Sequence, residues 1–359
     1  MRLISRDQLS EWVEQASREM RFAMRRRYLR KDIGKFHTAK TSLTKEQLRE
    51  AKRYWKRYSK HYSPLWHRFF TEKTGTFDPR FIPEDLMFTD IEGYLNDWSS
   101  AHGVDNKNNY KMYFPEIRHP KAAFRRMRGL YHDDDYSLIS QEQAMENCRQ
   151  MGNVIFKYAV ESGKGGGIRF WKTEDGEDAL VKLFDKMPQE MLAQEFISQH
   201  AELEKINPSS VNSIRIVTLM RQEGVSVLAA YLRMGNPGAR VDNVCFGGCC
   251  SAIKADGTLM DFGYSKAADK ITTHSTGFRF AGFHVPSYDK VVDVVKRMHQ
   301  KMGDFRIVSW DIAIAPDGEP VFIEMNLKYG AMEYHQLFNG PLFGDDTEAI
   351  LDEIYRKKA

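Results

Sequence analysis

Asp311, Glu324 and Asn326 flank a turn in W-D-I-A-I-A-P-D-G-E-P-V-F-I-E-M-N, and residues of these types at this spacing could hold a metal ion. If Asp317 and Gly318 form a two-residue hairpin loop, Ile314 meets Val321, Ile312 meets Ile323 and Asp311 meets Glu324. A three-residue loop led by Pro316 is the competing geometry, and it would move Asp311 off the Glu324 face. Directly opposed residues have Cβ atoms roughly 5 Å apart, so two carboxylates there repel unless a positive charge stands between them. Asn326, two residues past Glu324, points to the same face. Two carboxylates and an amide oxygen, with no imidazole or thiolate beside them, suit Mg²⁺ or Mn²⁺. An edge hairpin with a solvated acidic face is the bland alternative, disfavoured by the apolar character of both strands.

Anion-binding signals lie upstream. Lys157 sits in a strand-like run just before Gly163, Lys164, Gly165, Gly166 and Gly167. Glycines let backbone N–H groups approach phosphate oxygens, and a lysine on the neighbouring strand adds a point charge to the same anion. The run matches neither the Walker nor the dinucleotide-binding pattern, so taken alone it also reads as a plain hairpin tip. In L-A-Q-E-F-I-S-Q-H-A-E-L-E a short strand ends in Glu195, with Glu202 seven residues on. A strand of that kind can offer its backbone to an adenine edge, while the later carboxylate accepts ribose hydroxyl protons. An ordinary strand running into an amphipathic helix is the alternative.

The elements that must position these groups follow from periodicity. Residues 1–70 read as helices, with Ser5 and Thr44 as N-caps and Gln47 completing a capping box. A polar, turn-rich passage follows, with a short helix over 90–98. After residue 150 strands are expected in N-V-I-F-K-Y-A-V and G-I-R-F-W, then a helix over 177–186 and the strand L-A-Q-E-F-I. V-N-S-I-R-I-V-T-L, V-S-V-L-A-A-Y-L-R-M, C-C-S-A-I-K-A and the 311/324 hairpin supply a second antiparallel sheet, and Y-D-K-V-V-D-V-V-K-R-M-H-Q-K-M a helix. The last fifteen residues read as a closing helix.

The chain has 359 residues, 42% of them apolar, enough for about two domains. No apolar run approaches the roughly 20 residues of a membrane span, and the first residues lack the apolar stretch of a signal peptide, so a cytoplasmic home is expected. Cys148, Cys245, Cys249 and Cys250 form no C-x-x-C pair and are read as reduced. Residues 1–70 carry 19 Lys and Arg against 7 Asp and Glu, a balance of +12 that leaves −8 on the rest. Tyr54, Trp55, Tyr58 and Tyr62 are interleaved with this charge at helical spacing. An anionic membrane surface, a polyanionic substrate or nucleic acid could attract it. No nucleic-acid motif accompanies the charge, which sets that partner aside. In the competing reading Lys and Arg stems cover a helical pair whose aromatic stripe packs on the next domain.

Taken in order, N-K at Asn106-Lys107, I-F-K at Lys157, the glycine run, Q-E-F-I, V-N-S-I-R-I-V-T, V-D-N with G-G, and W-D-I-A-I with I-E-M-N resemble the ATP-grasp superfamily. H-A-E-L-E-K-I-N-P-S-S-V-N-S-I-R-I-V-T and F-H-V-P resemble, more narrowly, the sugar-transfer-associated ATP-grasp proteins encoded with surface-polysaccharide genes. The likeness spans roughly residues 100–340.

The resemblance implies an α+β ATP-grasp fold, two α+β subdomains clasping ATP, with a basic helical N-terminal segment. The boundaries it suggests are 1–75 for that segment, 76–193 for the small subdomain with its connector, and 194–359 for the large subdomain. It implies Lys107 and Lys157 toward the α and β phosphates, with Gly163, Lys164, Gly165, Gly166 and Gly167 as a lid. Lys111 is close enough to Lys107 to leave that assignment open. Gln194 and Glu195, with Phe196 and Ile197 beside them, would meet adenine, and Glu202 the ribose. Gln194 departs from the acidic residue found in many members. Asp311, Glu324 and Asn326 would hold Mg²⁺ or Mn²⁺, and Arg215 would face the γ-phosphate or an acyl phosphate. Arg233, Asp242 and Asn243 match positions on the acceptor side, so Arg215, Lys157 and Arg233 are the candidate catalytic groups.

A carboxylate–amine ligase working through an acyl phosphate is the activity this implies, with a small-molecule carboxylate and amine as substrates and surface-polysaccharide or related biosynthesis as the setting. A kinase acting on a sugar or other alcohol shares the nucleotide half of the site and stays open. A noncatalytic nucleotide-binding module of a glycan-assembly complex is the third reading, and the intact metal triad argues against it. Peripheral contact with an anionic membrane or a glycan-assembly partner is expected of the basic segment. His200, His274, His284 and His335 are scattered and read as structural.

Overall fold

Thr44 caps the helix Lys45–Lys56 by accepting from Gln47 N at 3.1 Å, while the Gln47 side chain accepts from Thr44 N at 3.0 Å, so the capping box forms as expected. The computed structural model describes residues 6–36, 43–160, 167–240, 242, 244, 247–330 and 332–356. Ser5, the other expected cap, and Cys245 lie outside them. Contacts divide the chain into two units, residues 1–96 with 331–359, and Asp97–Gly330. No helix among the described residues is long and apolar enough to cross a membrane.

The first unit is helical. Helices Arg6–Phe36, Lys45–Lys56 and Leu65–Thr74 pack with Glu333–Asn339 and Thr347–Arg356 from the C-terminal segment. The short helix expected over 90–98 begins earlier, at Glu84–Leu86, and runs through a π-helical turn, Met87–Ile91, into Glu92–Leu95. The aromatic stripe is buried, as the competing reading requires, but its partners lie within its own unit and not on the next domain. Trp55 has no exposed surface, stacks on Tyr62 with centroids 6.0 Å apart, and donates from Nε1 to Pro79 O at 3.0 Å.

The second unit carries two antiparallel sheets. The first comprises β1 (Ala122–Met127), β2 (Leu130–His132), β3 (Leu138–Ile139), β4 (Asn153–Tyr158), β5 (Arg169–Lys172) and β6 (Met191–Glu195), in the order β3-β2-β1-β6-β4-β5. One face packs Phe124, Phe156, Trp171 and Phe184 with the helices Gln141–Met151 and Glu177–Asp185. Strands β1 to β3 and the helix Gln141–Met151 escape the sequence reading. In β1 the run A-A-F-R-R-M breaks the apolar alternation, yet Arg125 is buried because its guanidinium reaches Asp134 at 3.1 Å and lies over the Tyr136 ring.

The second sheet comprises β7 (Ile214–Arg221), β8 (Gly224–Met234), β9 (Cys249–Ala252), β10 (Gly263–Ser265), β11 (Lys270–Ile271), β12 (Ile307–Ile314) and β13 (Pro320–Asn326). Its order is β11-β10-β9-β8-β7-β12-β13. The helix Tyr288–Gln300 buries Val291, Val294, Val295 and Met298 in one core with Ile214, Ile216, Trp310 and Ile312. The opposite face of the central strands is left for polar chemistry.

The β12–β13 hairpin differs from the expected register near its loop. Ile312 faces Phe322 and Ile314 faces Pro320, not Ile323 and Val321. The loop is the three-residue form, since Ala315 N donates to Glu319 O at 2.9 Å, with Gly318 at φ +80°. A bulge between these pairs and Asp311 inserts Ile323 unopposed, and from there Asp311 faces Glu324 and Ser309 faces Asn326. The bulge thus restores the carboxylate pairing that the longer loop would have broken.

Candidate functional site

Four neighbouring strands line one face of the second sheet with charge. Arg233 on β8 donates its backbone N–H to Ser213 O beside β7, Arg215 on β7 faces Asp311 on β12, and Asp311 faces Glu324 on β13. Residues paired across strands, and residues two apart along one, share a face, so these side chains form a row. Asp311 is fully buried and held at both oxygens by Arg215, with Nε at 2.7 Å and an Nη at 2.6 Å. Arg233 reaches the same carboxylate at 3.0 Å. The positive charge that opposed carboxylates require is therefore supplied beside Asp311 by two arginines. Burial pushes the Asp311 carboxyl up, but Arg215 and then Arg233 outweigh it and hold it below the usual carboxylate range.

Ser213 joins the row and was missed in the sequence. Its hydroxyl accepts from Arg233 at 2.7 and 3.0 Å and donates to Asp242, whose carboxylate also accepts from Ser213 N at 3.1 Å. Its place two residues before Arg215, on the same strand face, is the signal that could have found it. Asp242 lies 3.6 Å from Arg233, so this part of the site is a closed polar network of Arg233, Ser213 and Asp242.

One lysine beside the first sheet pairs with Glu324, and a second, on β4, is buried. Lys107 is anchored by its backbone N–H to Ala159 O at 2.8 Å, and its ammonium lies 3.2 Å from Glu324. Lys111 instead bonds Asp134 at 2.8 Å and Asp135 at 3.0 Å, so of the two it is Lys107 that reaches the charged row. Lys157 on β4 is 9% exposed, and no hydrogen bond or ion pair engages its ammonium among the described residues. Burial pulls its pKa down to about 8, with Glu324 opposing the shift and Lys107 adding to it.

The remaining sequence candidates are placed as follows. Gln194 on β6 pairs with Ile155 on β4, which puts it on the same face of the first sheet as Lys157. The Glu195 carboxylate accepts from Lys121 N at 2.8 Å, and so is engaged by backbone. Phe196 packs edge-on against Phe170 at 5.6 Å, and Ile197 packs on Ala313, Ala315 and Val321. Glu202, on the short helix Ala201–Glu204, is exposed and pairs with Lys205 at 2.6 Å. Gly167 has φ +85°, and a Cβ there would meet the Tyr158 ring at 2.3 Å, so only glycine fits. Gly163, Lys164, Gly165, Gly166 and Asn243 lie outside the described residues. His274 is pinned to Gly235 O at 3.0 Å and His284 to Asp256 O at 2.8 Å, both structural contacts.

The oxygens available to a cation at the end of this row are those of Glu324, Asn326 and Asp311. Among the described residues no group of three or more His, Cys, Asp or Glu side chains is placed to hold a metal. The donor chemistry is nonetheless all hard oxygen, suited to Mg²⁺ or Mn²⁺. Asn326 Nδ2 is buried without a hydrogen-bond partner, and the amide's O and N are interchangeable at that position. Asp311 already meets three guanidinium nitrogens, leaving about one of its four lone-pair directions. The residues fit a cation held mainly by Glu324 and Asn326, with Asp311 contributing a single oxygen.

Among solved structures, the chain is similar to N5-carboxyaminoimidazole ribonucleotide synthetase in its ADP complex, at 12% identity and TM-score 0.38, over 62% of this chain and 45% of that one. An ATP-grasp ligase bound to a precursor peptide and AMPPNP matches at 13% and 0.41, over 71% and 62%. The biotin carboxylase domain of the Hydrogenobacter thermophilus 2-oxoglutarate carboxylase matches at 13% and 0.44, over 73% and 48%. The chain thus spans about half the length of these proteins, and likenesses so slight carry no weight for its activity. Among curated proteins nothing matches. The sequence model of sugar-transfer associated ATP-grasp proteins, however, matches residues 89–350, most of the chain, across both sheets and every residue of the charged row. This chain belongs to the sugar-transfer associated ATP-grasp family.

Proposed function

We propose that this chain is an ATP-dependent carboxylate–amine ligase that makes an amide through an acyl phosphate, in surface-polysaccharide or related biosynthesis. The observation that carries the reading is the convergence of Lys107, Lys157, Arg215 and Arg233 on one polar face beside Glu324 and Asn326. Such a set neutralises and positions phosphoryl oxygens, and its one described hydroxyl, Ser213, is tied to Arg233 and Asp242.

In the proposed reaction an acceptor carboxylate oxygen attacks the γ-phosphorus and ADP departs with the bridging oxygen. An amine then attacks the acyl carbon, phosphate leaves with the C–O electron pair, and the amine gives up a proton. Lys107 and Lys157 bind the nucleotide phosphates, with Gln194 and Glu195 at the end of β6 and Phe196 and Ile197 after it toward adenine and Glu202 toward ribose. Arg215 and Arg233 orient and neutralise the transferring group. A fixed guanidinium fork suits that task, and Asp311 holds Arg215 in place through two bonds. Asp242, pinned by Ser213, keeps Arg233 directed to the same point, and Asn243 is assigned to the acceptor by its place in the sequence alone. Bound Mg²⁺ would supply Lewis-acid stabilisation of phosphoryl charge from Glu324, Asn326 and Asp311.

Hydroxylamine in place of the amine should trap the intermediate as a hydroxamate, with ADP released in equal amount. A phosphorylated alcohol formed without hydroxamate would replace this reading with that of a kinase. Nucleotide binding without ADP release against any acceptor would leave a noncatalytic module.

A further inference from the structure

The long helix Arg6–Phe36 has two apolar sides, and only one is covered. Leu29 and Ile33 are buried at 8% and 6% exposure, and beside them Arg26 and Arg30 reach Asp90 at 3.4 Å and Asp85 at 2.6 Å within the same unit. On the other side Val13, Met20, Met24 and Tyr28 are exposed at 58%, 66%, 59% and 50%. At 3.6 residues per turn these four fall on one stripe, about half a turn away from Leu29 and Ile33. An exposed stripe of large apolar side chains marks an interaction face. Arg21, Arg27 and Lys31 are also exposed and border it, with Asp32 and Glu14 the acidic side chains nearest to it.

We propose that this face docks the protein on an anionic lipid surface. Val13, Met20, Met24 and Tyr28 enter the boundary between headgroups and acyl chains, while Arg21, Arg27 and Lys31 meet lipid phosphates. The apolar stripe bordered by basic side chains is the pattern of a helix lying in a membrane interface. Charge selects this occupant over a second copy of the chain, because two such faces brought together would oppose arginines with arginines. The +12 balance of residues 1–70 adds a long-range attraction of the same sign. Ion pairs on the covered side hold the helix to its own unit, so the stripe is presented by a folded element and the proposal stands apart from the ligase reading.

Co-sedimentation of the full chain with vesicles of phosphatidylcholine, alone or mixed with phosphatidylglycerol, tests it. Binding is expected only with phosphatidylglycerol, and it should fall steeply as salt is raised, since screening shortens to about 3 Å at 1 M. Each basic side chain near such a surface strengthens binding about fivefold, so Arg21→Gln with Arg27→Gln should weaken it about 25-fold. Met20→Ser with Met24→Ser should also weaken it, and both pairs are exposed enough to leave the melting temperature unchanged. Absence of binding to phosphatidylglycerol vesicles, or binding that neither pair diminishes, would overturn the proposal. A concentration-dependent dimer lost in Met20→Ser with Met24→Ser, without lipid binding, would overturn it in favour of a second copy.

Discussion

ATP binding should draw a proton onto Lys157. In the free protein burial holds this ammonium's pKa at about 8, so near that pH about half the molecules carry the neutral amine. Phosphate oxygens brought to the amine favour its charged form and move its pKa back toward the ordinary lysine value of about 10.4. Binding then takes up about half a proton at pH 8, about 0.9 at pH 9 and only about 0.1 at pH 7. Affinity is accordingly highest below pH 8 and falls as pH rises toward the bound-state value, by up to about two decades. Isothermal titration of a nonhydrolysable ATP analogue, in paired buffers of different ionisation enthalpy, measures the uptake. Lys157→Met controls for protons released or bound by the nucleotide itself. The same substitution should stabilise the nucleotide-free fold at pH 7 by on the order of 3 kcal/mol, because it removes a buried charge. In the wild type that penalty is full below pH 8 and relieved between about 8 and 10.4, where the unfolded chain binds more protons. Equal proton uptake in wild type and variant at pH 8 to 9 would refute the placement of Lys157 against phosphate.

Further outcomes follow from the same geometry. Asp311→Asn leaves Arg215 a buried guanidinium without its counter-charge, while Arg233 keeps Asp242, so stability should drop by about 3–5 kcal/mol, read as a lowered melting temperature. An unchanged melting temperature would contradict the clamp. Glu324→Gln, whose side chain is 30% exposed, should lower melting less than Asp311→Asn, since it removes the partner of Lys107, and should reduce Mg²⁺-dependent ADP release roughly a thousandfold, tested by Mg²⁺ titration of turnover. Burial holds His67 and His299 near pKa 4, below the unfolded value of about 6.5, so each should cost about 2 kcal/mol of stability between pH 7 and pH 5. Denaturant melts at the two pH values measure this, and His299→Gln should flatten the dependence.

Much of the site's scaffold was legible because its strands are apolar runs with turn residues between them. The Asp311–Glu324 pairing was readable from apolar matching, but the route to it was not. The loop takes the proline-led form, and only an unopposed Ile323 brings the carboxylates together again. A bulge of that kind has no signature in a run such as V-F-I-E, where each residue suits a strand. Strand β1 was illegible for a different reason. Its buried Arg125 reads as surface until Asp134, nine residues on, is known to neutralise it. The arginines of the charged row were visible as candidates, while their common partner was not, since Arg215 and Asp311 lie 96 residues apart. Lys107 and Lys111 could be separated only by seeing that Asp134 and Asp135 engage the second.

The central claim is that a carboxylate, and no alcohol, receives the γ-phosphoryl group, and it is tested most directly by following an oxygen atom. A carboxylate that stimulates ADP release is labelled with ¹⁸O and turned over with an amine, and the inorganic phosphate is examined by mass spectrometry. Attack on phosphorus and departure of phosphate from the acyl carbon should move one carboxylate oxygen into phosphate for each amide formed. Inorganic phosphate free of label, or a phosphoryl group retained on an alcohol product, would contradict it.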